Sequence, residues 1–178
     1  MVNKKFFLRL VFFLLVFISA GTKSFAQYHA GIGYRFAKFN NGLTMKYFFR
    51  PDNATGFSVL IAYSKIAEDG WVISPLYENQ LPFRIPLIQL PLDFIAGAGI
   101  HVGYYPKRYY KIVDGLPDYY KNNTITVGVD VLVALEYQVP IDWLPVAIGI
   151  EAQPFYEFVN RGPEFLDFAA TLKYVFNE

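Results

Sequence analysis

The stretch TITVGVDVLVALEY, residues 124–137, alternates large apolar side chains with small, polar or acidic ones. Every second residue is aliphatic or aromatic, and the positions between them include Gly128, Asp130 and Glu136. A period of two predicts a β-strand with one apolar face. The stretch is longer than the roughly 9 to 11 residues with which a tilted strand crosses a bilayer. We therefore interpret it as one strand of a transmembrane β-barrel.

The same alternation recurs along the chain after residue 27, and turn-forming residues separate the segments. We predict about eight strands, at residues 28–38, 43–50, 56–65, 71–80, 93–105, 124–137, 146–159 and 167–176. Eight is an even number and about the smallest at which a transmembrane barrel closes around side chains. Because the strands follow one another as successive hairpins, the predicted fold is all-β, a single antiparallel up-and-down transmembrane β-barrel.

Proline, glycine and asparagine mark the predicted connections. Asn40-Asn41-Gly42 is a typical hairpin signal between the first two strands. The connections near Pro51, at residues 84–91 and at residues 140–145 are short or contain proline, whereas residues 106–123 form the longest predicted loop. With the N-terminus in the periplasm, the connections near Pro51, at residues 84–91 and at residues 140–145 are periplasmic, and the long loop faces outward.

The first 26 residues have the organisation of a secretory signal peptide. Lys4, Lys5 and Arg9 precede an apolar run, and Ser24-Phe25-Ala26 is a small-residue cleavage site. This apolar run is too short for a transmembrane helix, which needs about 20 apolar residues. We expect a Sec-type signal peptide at residues 1–26, cleavage after Ala26, and an outer-membrane β-barrel domain at residues 27–178.

Charge and composition exclude several classes of function. Cleavage would remove four of the 16 Lys and Arg residues, which leaves 12 basic against 15 acidic residues and a net charge of −3. A nucleic-acid partner is therefore not expected. The absence of cysteine excludes a lipid-anchored lipoprotein, disulfides and thiolate metal sites, and we expect no cofactor.

Aromatic residues make up 19% of the sequence. Such rings concentrate at the two interfaces of a bilayer, because they are apolar with a polar edge or hydroxyl. The strand predictions place them at two levels, one near each rim of the barrel. The residues predicted to form this aromatic belt are Tyr47, Phe49, Trp71, Tyr137, Trp143, Tyr174 and Phe176.

Charged residues collect on the opposite, inward faces of the predicted strands. A Lys or Arg that faced lipid at the bilayer midplane would cost about 2 to 4 kcal/mol. We therefore predict an ion-pair network that fills the lumen, with a narrow ion path or a small-ligand site as the alternative. Its members are Arg35, Lys46, Arg50, Glu78, His101, Asp130, Glu136, Glu151, Glu157 and Lys173.

The long predicted loop combines basic residues with tyrosines, a composition suited to contacts with glycans, lipopolysaccharide or protein partners. An ordinary solvated loop is the alternative. The residues of this possible external contact surface are Lys107, Arg108, Tyr109, Tyr110, Tyr119 and Tyr120.

The chain contains several short motifs, which are GLTMKYF at residues 42–48, LYE at 76–78, GAGIHVG at 97–103, LEY at 135–137 with VPI at 139–141, and LKYVF at 172–176. Together these motifs resemble those of Bacteroidetes-type small outer-membrane β-barrel proteins of unassigned function. The resemblance spans nearly the whole chain after the signal peptide. It implies a porin-like barrel in a Gram-negative outer membrane and no known catalytic set.

We expect an integral outer-membrane protein, not an enzyme, with a structural or surface-interaction role. Its expected partners are outer-membrane lipid and lipopolysaccharide, and the barrel-assembly machinery during insertion. One alternative is a lipid-modifying hydrolase or acyltransferase that uses His101 with Asp130 and a serine. The candidate serines are Ser58, Ser64 and Ser74. The other alternative is a soluble periplasmic β-barrel whose apolar faces point inward onto a small apolar ligand.

Overall fold

The computed structural model describes residues 28–50, 55–65, 67–68, 70–85, 90–114, 116–139, 143–162 and 165–176. The predicted signal peptide lies outside the described residues. The side chains of Arg50, Tyr109, Tyr110, Tyr119 and Tyr120 also lie outside the described part of the structure.

Eight long strands form the described part of the chain. They are β1 (Ala30–Ala37), β2 (Asn40–Arg50), β3 (Thr55–Ser64), β4 (Gly70–Ile85), β5 (Leu90–Val113), β6 (Leu116–Gln138), β7 (Val146–Val159) and β8 (Leu166–Phe176). Each strand pairs antiparallel with the next, and β8 pairs with β1 from Ala30↔Phe176 to Ala37↔Ala169, which closes the sheet. A two-residue strand, Ala67–Glu68, adds to β5 beside β4. The predicted all-β, antiparallel up-and-down barrel is confirmed.

The two faces of the sheet follow the alternation of the sequence. On β2, Thr44, Lys46 and Phe48 are buried inside the barrel, whereas Leu43 and Tyr47 on its outer face are about half exposed. Around the barrel, large apolar side chains are exposed on the outer face, whereas the inner face holds the buried charged residues together with some apolar ones. The alternative of a barrel with its aliphatic faces inward is therefore wrong.

The turn between β1 and β2 differs from the prediction. Arg35 pairs with Gly42, and Asn40 already belongs to β2, so the turn falls at Lys38 and Phe39 rather than at Asn40-Asn41-Gly42. The backbone amides of Phe39 and Asn40 donate to the Asp167 carboxylate at 3.0 and 3.1 Å. Because a side chain from β8 satisfies the amides of this turn, the local asparagine-glycine signal does not decide its position.

The segment predicted as the longest loop is a β-hairpin. Strands β5 and β6 pair from Lys107↔Asn122 to Val113↔Leu116, and Asp114 has a φ of 52°. Asp114 is followed by glycine in the sequence, and this dipeptide favours a two-residue turn between strands. The prediction of a loop at residues 106–123 is wrong because tyrosine and β-branched residues flank that turn and extend the ladder.

The β4–β5 hairpin also extends further than predicted, because pairing continues from Pro82↔Asp93 to Ile85↔Leu90. We call the rim where β1 begins and β8 ends the terminal rim, and the opposite rim, from which the β5–β6 hairpin projects, the hairpin rim. Long β4–β5 and β5–β6 hairpins therefore extend the barrel at opposite rims.

Outward-facing rings lie near both rims. Near the terminal rim, Tyr47 and Phe49 contact each other with ring centroids 5.6 Å apart, as do Tyr174 and Phe176 at 5.0 Å. Near the hairpin rim, Trp71 lies 6.3 Å from the ring of Tyr104. Tyr137 lies near the end of β6, and Trp143 lies in the β6–β7 connection with 81% of its surface exposed. Within the described residues, no helix has the length and hydropathy of a membrane span.

Candidate functional site

The lumen of the barrel is the candidate site, because the buried charged residues point into it. Apolar clusters divide it. Tyr28, Phe48, Ala147 and Val175 pack together at the terminal rim, and Val72 packs with Tyr105 toward the hairpin rim. A third cluster, Leu76, Ile95, Leu132 and Ala134, joins β4, β5 and β6. The charged groups are thus enclosed among packed apolar side chains.

The first group of charges surrounds Arg35, which is 1% exposed. Its Nε donates to the Glu151 carboxylate, and its Nη1 donates to Asp167 at 2.8 Å and to the Asn40 carbonyl at 2.7 Å. These contacts connect β1 and β2 with β7 and β8. A planar guanidinium suits this arrangement, because its donors point in fixed directions toward several acceptors. The group therefore fastens the barrel where its first and last strands meet.

Two lysines form the second group. Lys46 on β2 donates to Glu78 on β4 at 2.7 Å, and Ser58 on β3 donates to the other oxygen of that carboxylate. Lys173 on β8 donates to Glu136 on β6 and, at 3.2 Å, to Thr171. Each ion pair joins two strands that are separated by one intervening strand, so the side chains extend over the inner face of that strand. Gly97 makes room for one of them, since a Cβ there would lie 2.9 Å from Cγ of Glu78.

The third group surrounds His101 on β5. Its Nδ1 lies 2.9 Å from Oδ1 of Asp130, and Ser74 donates to the other oxygen of that carboxylate. On the other side of the ring, Nε2 lies 3.9 Å from Oε1 of Glu157. Gly128 on β6 provides the space for the imidazole, because a Cβ there would lie 2.4 Å from its Cε1.

Glu157 extends this third group toward the hairpin rim. Arg108 donates to its Oε2 at 2.6 Å, and the Gly162 amide donates to the same oxygen at 2.7 Å. The guanidinium carbon of Arg108 lies 4.3 Å from the centre of the Tyr105 ring, which adds a cation–π contact. Arg108, predicted as an external contact residue, is instead buried in the lumen.

Arg108 points inward because the alternation of β5 shifts by one residue near Pro106. Up to Tyr105 the odd-numbered residues of β5 point inward, but after Pro106 it is Arg108 that is buried and Lys107 that is exposed. With an unbroken alternation, Arg108 would point outward and could not donate to Glu157. Burying the Glu157 carboxylate without this guanidinium would cost free energy.

Chemically, the His101 group differs from a nucleophilic triad. In a triad the serine donates to the histidine nitrogen opposite the one that contacts the acid. Here Ser74 and His101 both contact the same carboxylate, that of Asp130, and the opposite nitrogen faces Glu157. The cavity lined by His101, Asp130 and Glu157 has a volume of about 10 Å³. That is room for about one water molecule, not for a lipid substrate.

Asp167 was not among the lumen residues predicted from the sequence, and Ser58 and Ser74 were considered only as catalytic serines. All three form hydrogen bonds within the three groups of charges. Alternation alone could have found Asp167, because it lies six residues before Lys173 and therefore on the same face of β8. Among the described residues, no group of three or more His, Cys, Asp or Glu side chains is placed to hold a metal ion.

No protein-family model matches the chain, and no curated protein sequence matches it. Among solved structures, the chain is similar to the crystal structure of the N-terminal β-barrel domain of Pseudomonas aeruginosa OprF. The TM-score is 0.49 at 12% sequence identity, over 84% of this chain and 96% of that chain.

Proposed function

We propose that the protein is an integral outer-membrane β-barrel with a closed lumen and a structural or surface-interaction role. The observation that supports this most strongly is the reversed distribution of polarity. Large apolar side chains such as Ile150, Phe168 and Leu43, which are 65%, 58% and 52% exposed, face outward. The buried interior holds Arg35, Lys173 and other charged residues.

A surface of this kind is stable when lipid covers it. Monomeric soluble proteins rarely expose contiguous apolar patches larger than a few hundred Å². In this barrel every strand from β1 to β8 presents exposed apolar side chains on its outer face, so the apolar surface forms a band around the whole molecule. A closed sheet also satisfies its backbone groups internally, as the bilayer core requires.

The rims support the same proposal. Aromatic rings near both ends of the outward band match the positions of the two bilayer interfaces. Both termini of the barrel lie at the terminal rim, and we propose that this rim faces the periplasm. The predicted signal peptide agrees with export to an outer membrane, where assembly machinery would insert the barrel.

A closed lumen favours a structural role over conduction. The ion pairs and the three apolar clusters fill the interior of the described barrel, and the space beside His101 accommodates about one water molecule. A narrow ion path would need a continuous water-filled route through these groups.

The projecting β5–β6 hairpin favours a surface-interaction role in addition. Strands of 24 and 23 residues are about twice as long as a bilayer crossing requires. A hairpin of this length extends beyond the bilayer at the hairpin rim, where Lys107 is accessible to external glycans, lipopolysaccharide or a protein partner.

The proposal is tested by refolding the mature chain, residues 27–178, from urea. In detergent micelles or phospholipid vesicles, the folded barrel should migrate faster on a gel than the same sample after boiling. The control is dilution into buffer without detergent, where precipitation is expected. A monodisperse, folded protein in detergent-free buffer would contradict the membrane location.

A further inference from the structure

A groove of about 550 Å³ crosses the outer surface of β6, β7, β8 and β1. This volume falls within the roughly 300 to 1,000 Å³ of typical small-molecule sites. The groove is almost entirely apolar, and its walls include Phe36, Leu135, Ile150 and Phe168. It lies on the face that we propose is covered by lipid.

Alanines in the sheet create this groove. Ala152 pairs with Val133 on one side and Phe168 on the other, and Ala170 pairs with Ile150 and Phe36. Methyl side chains beside large rings and branched chains leave a depression in the outer surface. Large apolar side chains are exposed over much of the rest of the outer surface.

The groove runs obliquely across the barrel wall, from β6 in the half nearer the terminal rim to the end of β1 at the hairpin rim. Its central row of paired residues is Ala134, Glu151, Ala169 and Ala37. Ala134 lies close to the end of β6 at the terminal rim, whereas Ala37 is the last residue of β1, at the hairpin rim. An extended hydrocarbon chain could therefore follow the groove from its end at the hairpin rim into the bilayer.

A cation stands at the hairpin-rim end of the groove. Lys38 is exposed and lines the groove, and its backbone amide donates to the Phe168 carbonyl at 3.0 Å. The acidic residue of the lining, Glu151, is bound by Arg35 on the lumen side. The Nζ of Lys38 lies 4.6 Å from the centre of the Phe39 ring, a contact that leaves the lysine charged, so the groove offers a ligand a positive charge at this end.

We propose that this groove binds one acyl chain of lipid A, the phosphorylated anchor of lipopolysaccharide, with Lys38 contacting a phosphate group. The proposal rests on the membrane location and orientation proposed above, which place Lys38 in the outward leaflet. A phosphate at the rim complements the ammonium group of Lys38, and the apolar groove below it accommodates the chain.

The test uses the refolded protein in a neutral detergent, with native mass spectrometry to count bound lipid. The probes are purified lipid A, dephosphorylated lipid A and phosphatidylglycerol. We expect one retained lipid A on the wild type. Ala152→Trp, which fills the groove, should lose it, whereas Ala98→Trp, at an outward alanine of β5 outside the groove, should keep it.

The role of Lys38 has its own expected result. Lys38→Ala should weaken the binding of lipid A about fivefold, because a lysine at a membrane surface attracts an anionic lipid by about that factor. It should leave the binding of dephosphorylated lipid A unchanged. Equal weakening for both lipids would overturn the phosphate contact.

The outcomes that contradict the membrane barrel, the groove and the choice of lipid differ from one another. If the wild type does not give the heat-sensitive gel shift, the proposed membrane barrel is wrong. If all variants fold and Ala152→Trp retains lipid A as Ala98→Trp does, the groove is not the site. Retention of phosphatidylglycerol equal to that of lipid A would overturn the assignment to lipid A, as would a dimer in place of bound lipid.

Discussion

At the scale of single residues, several lumen carboxylates contact two partners each. Asp130 shows this most clearly, because one of its oxygens contacts His101 and the other accepts from Ser74. We expect Asp130→Leu to lower the free energy of unfolding in micelles by about 3 to 5 kcal/mol, because it leaves buried polar partners without an acceptor. Urea titration followed by tryptophan fluorescence measures this, and Val131→Leu on the outer face is the control. An unchanged midpoint for Asp130→Leu would mean that the carboxylate is hydrated.

At the scale of strands, the sequence predicts which residues face each other only while the alternation is unbroken. The outward and inward sets of β1, β2 and β6 follow directly from a period of two. The slip near Pro106 could not be predicted, because it depends on Glu157 from another strand, which binds Arg108. The turn at Lys38 and Phe39 was missed for a similar reason, since Asp167 from β8 fixes it. By contrast, the Asp114-Gly115 hairpin had a local signal in the sequence.

The register of β5 beyond Pro106 can be tested with two neighbouring variants. Arg108→Met should lower the free energy of unfolding by about 3 to 5 kcal/mol, because it removes the guanidinium that donates to the buried Glu157 carboxylate. Lys107→Met, at an exposed position, should change it by no more than about 0.5 kcal/mol. Both are measured by urea titration in the same detergent. The opposite order of effects would place Lys107 in the lumen and restore the simple alternation.

At the scale of the whole molecule, closure of β8 onto β1 places both ends of the barrel at one rim. If that rim faces the periplasm, every second connection faces outward. An epitope tag inserted at residue 115 should therefore bind antibody on intact cells, whereas a tag at residue 53 should bind only after permeabilisation. The opposite pattern would mean that the barrel is inserted the other way round.

If the apolar face of the barrel contacts lipid, site-directed spin labelling should distinguish that face from the lumen. The natural chain has no cysteine, so single cysteines at positions 131, 132 and 133 can be labelled without background. In vesicles, labels at 131 and 133 should collide often with oxygen and rarely with a water-soluble nickel chelate, whereas the label at 132 should be shielded from both. Position 107 is the water-exposed control. High nickel access at 131 and 133, equal to that at 107, would mean that the apolar face contacts water and that the barrel does not span a membrane.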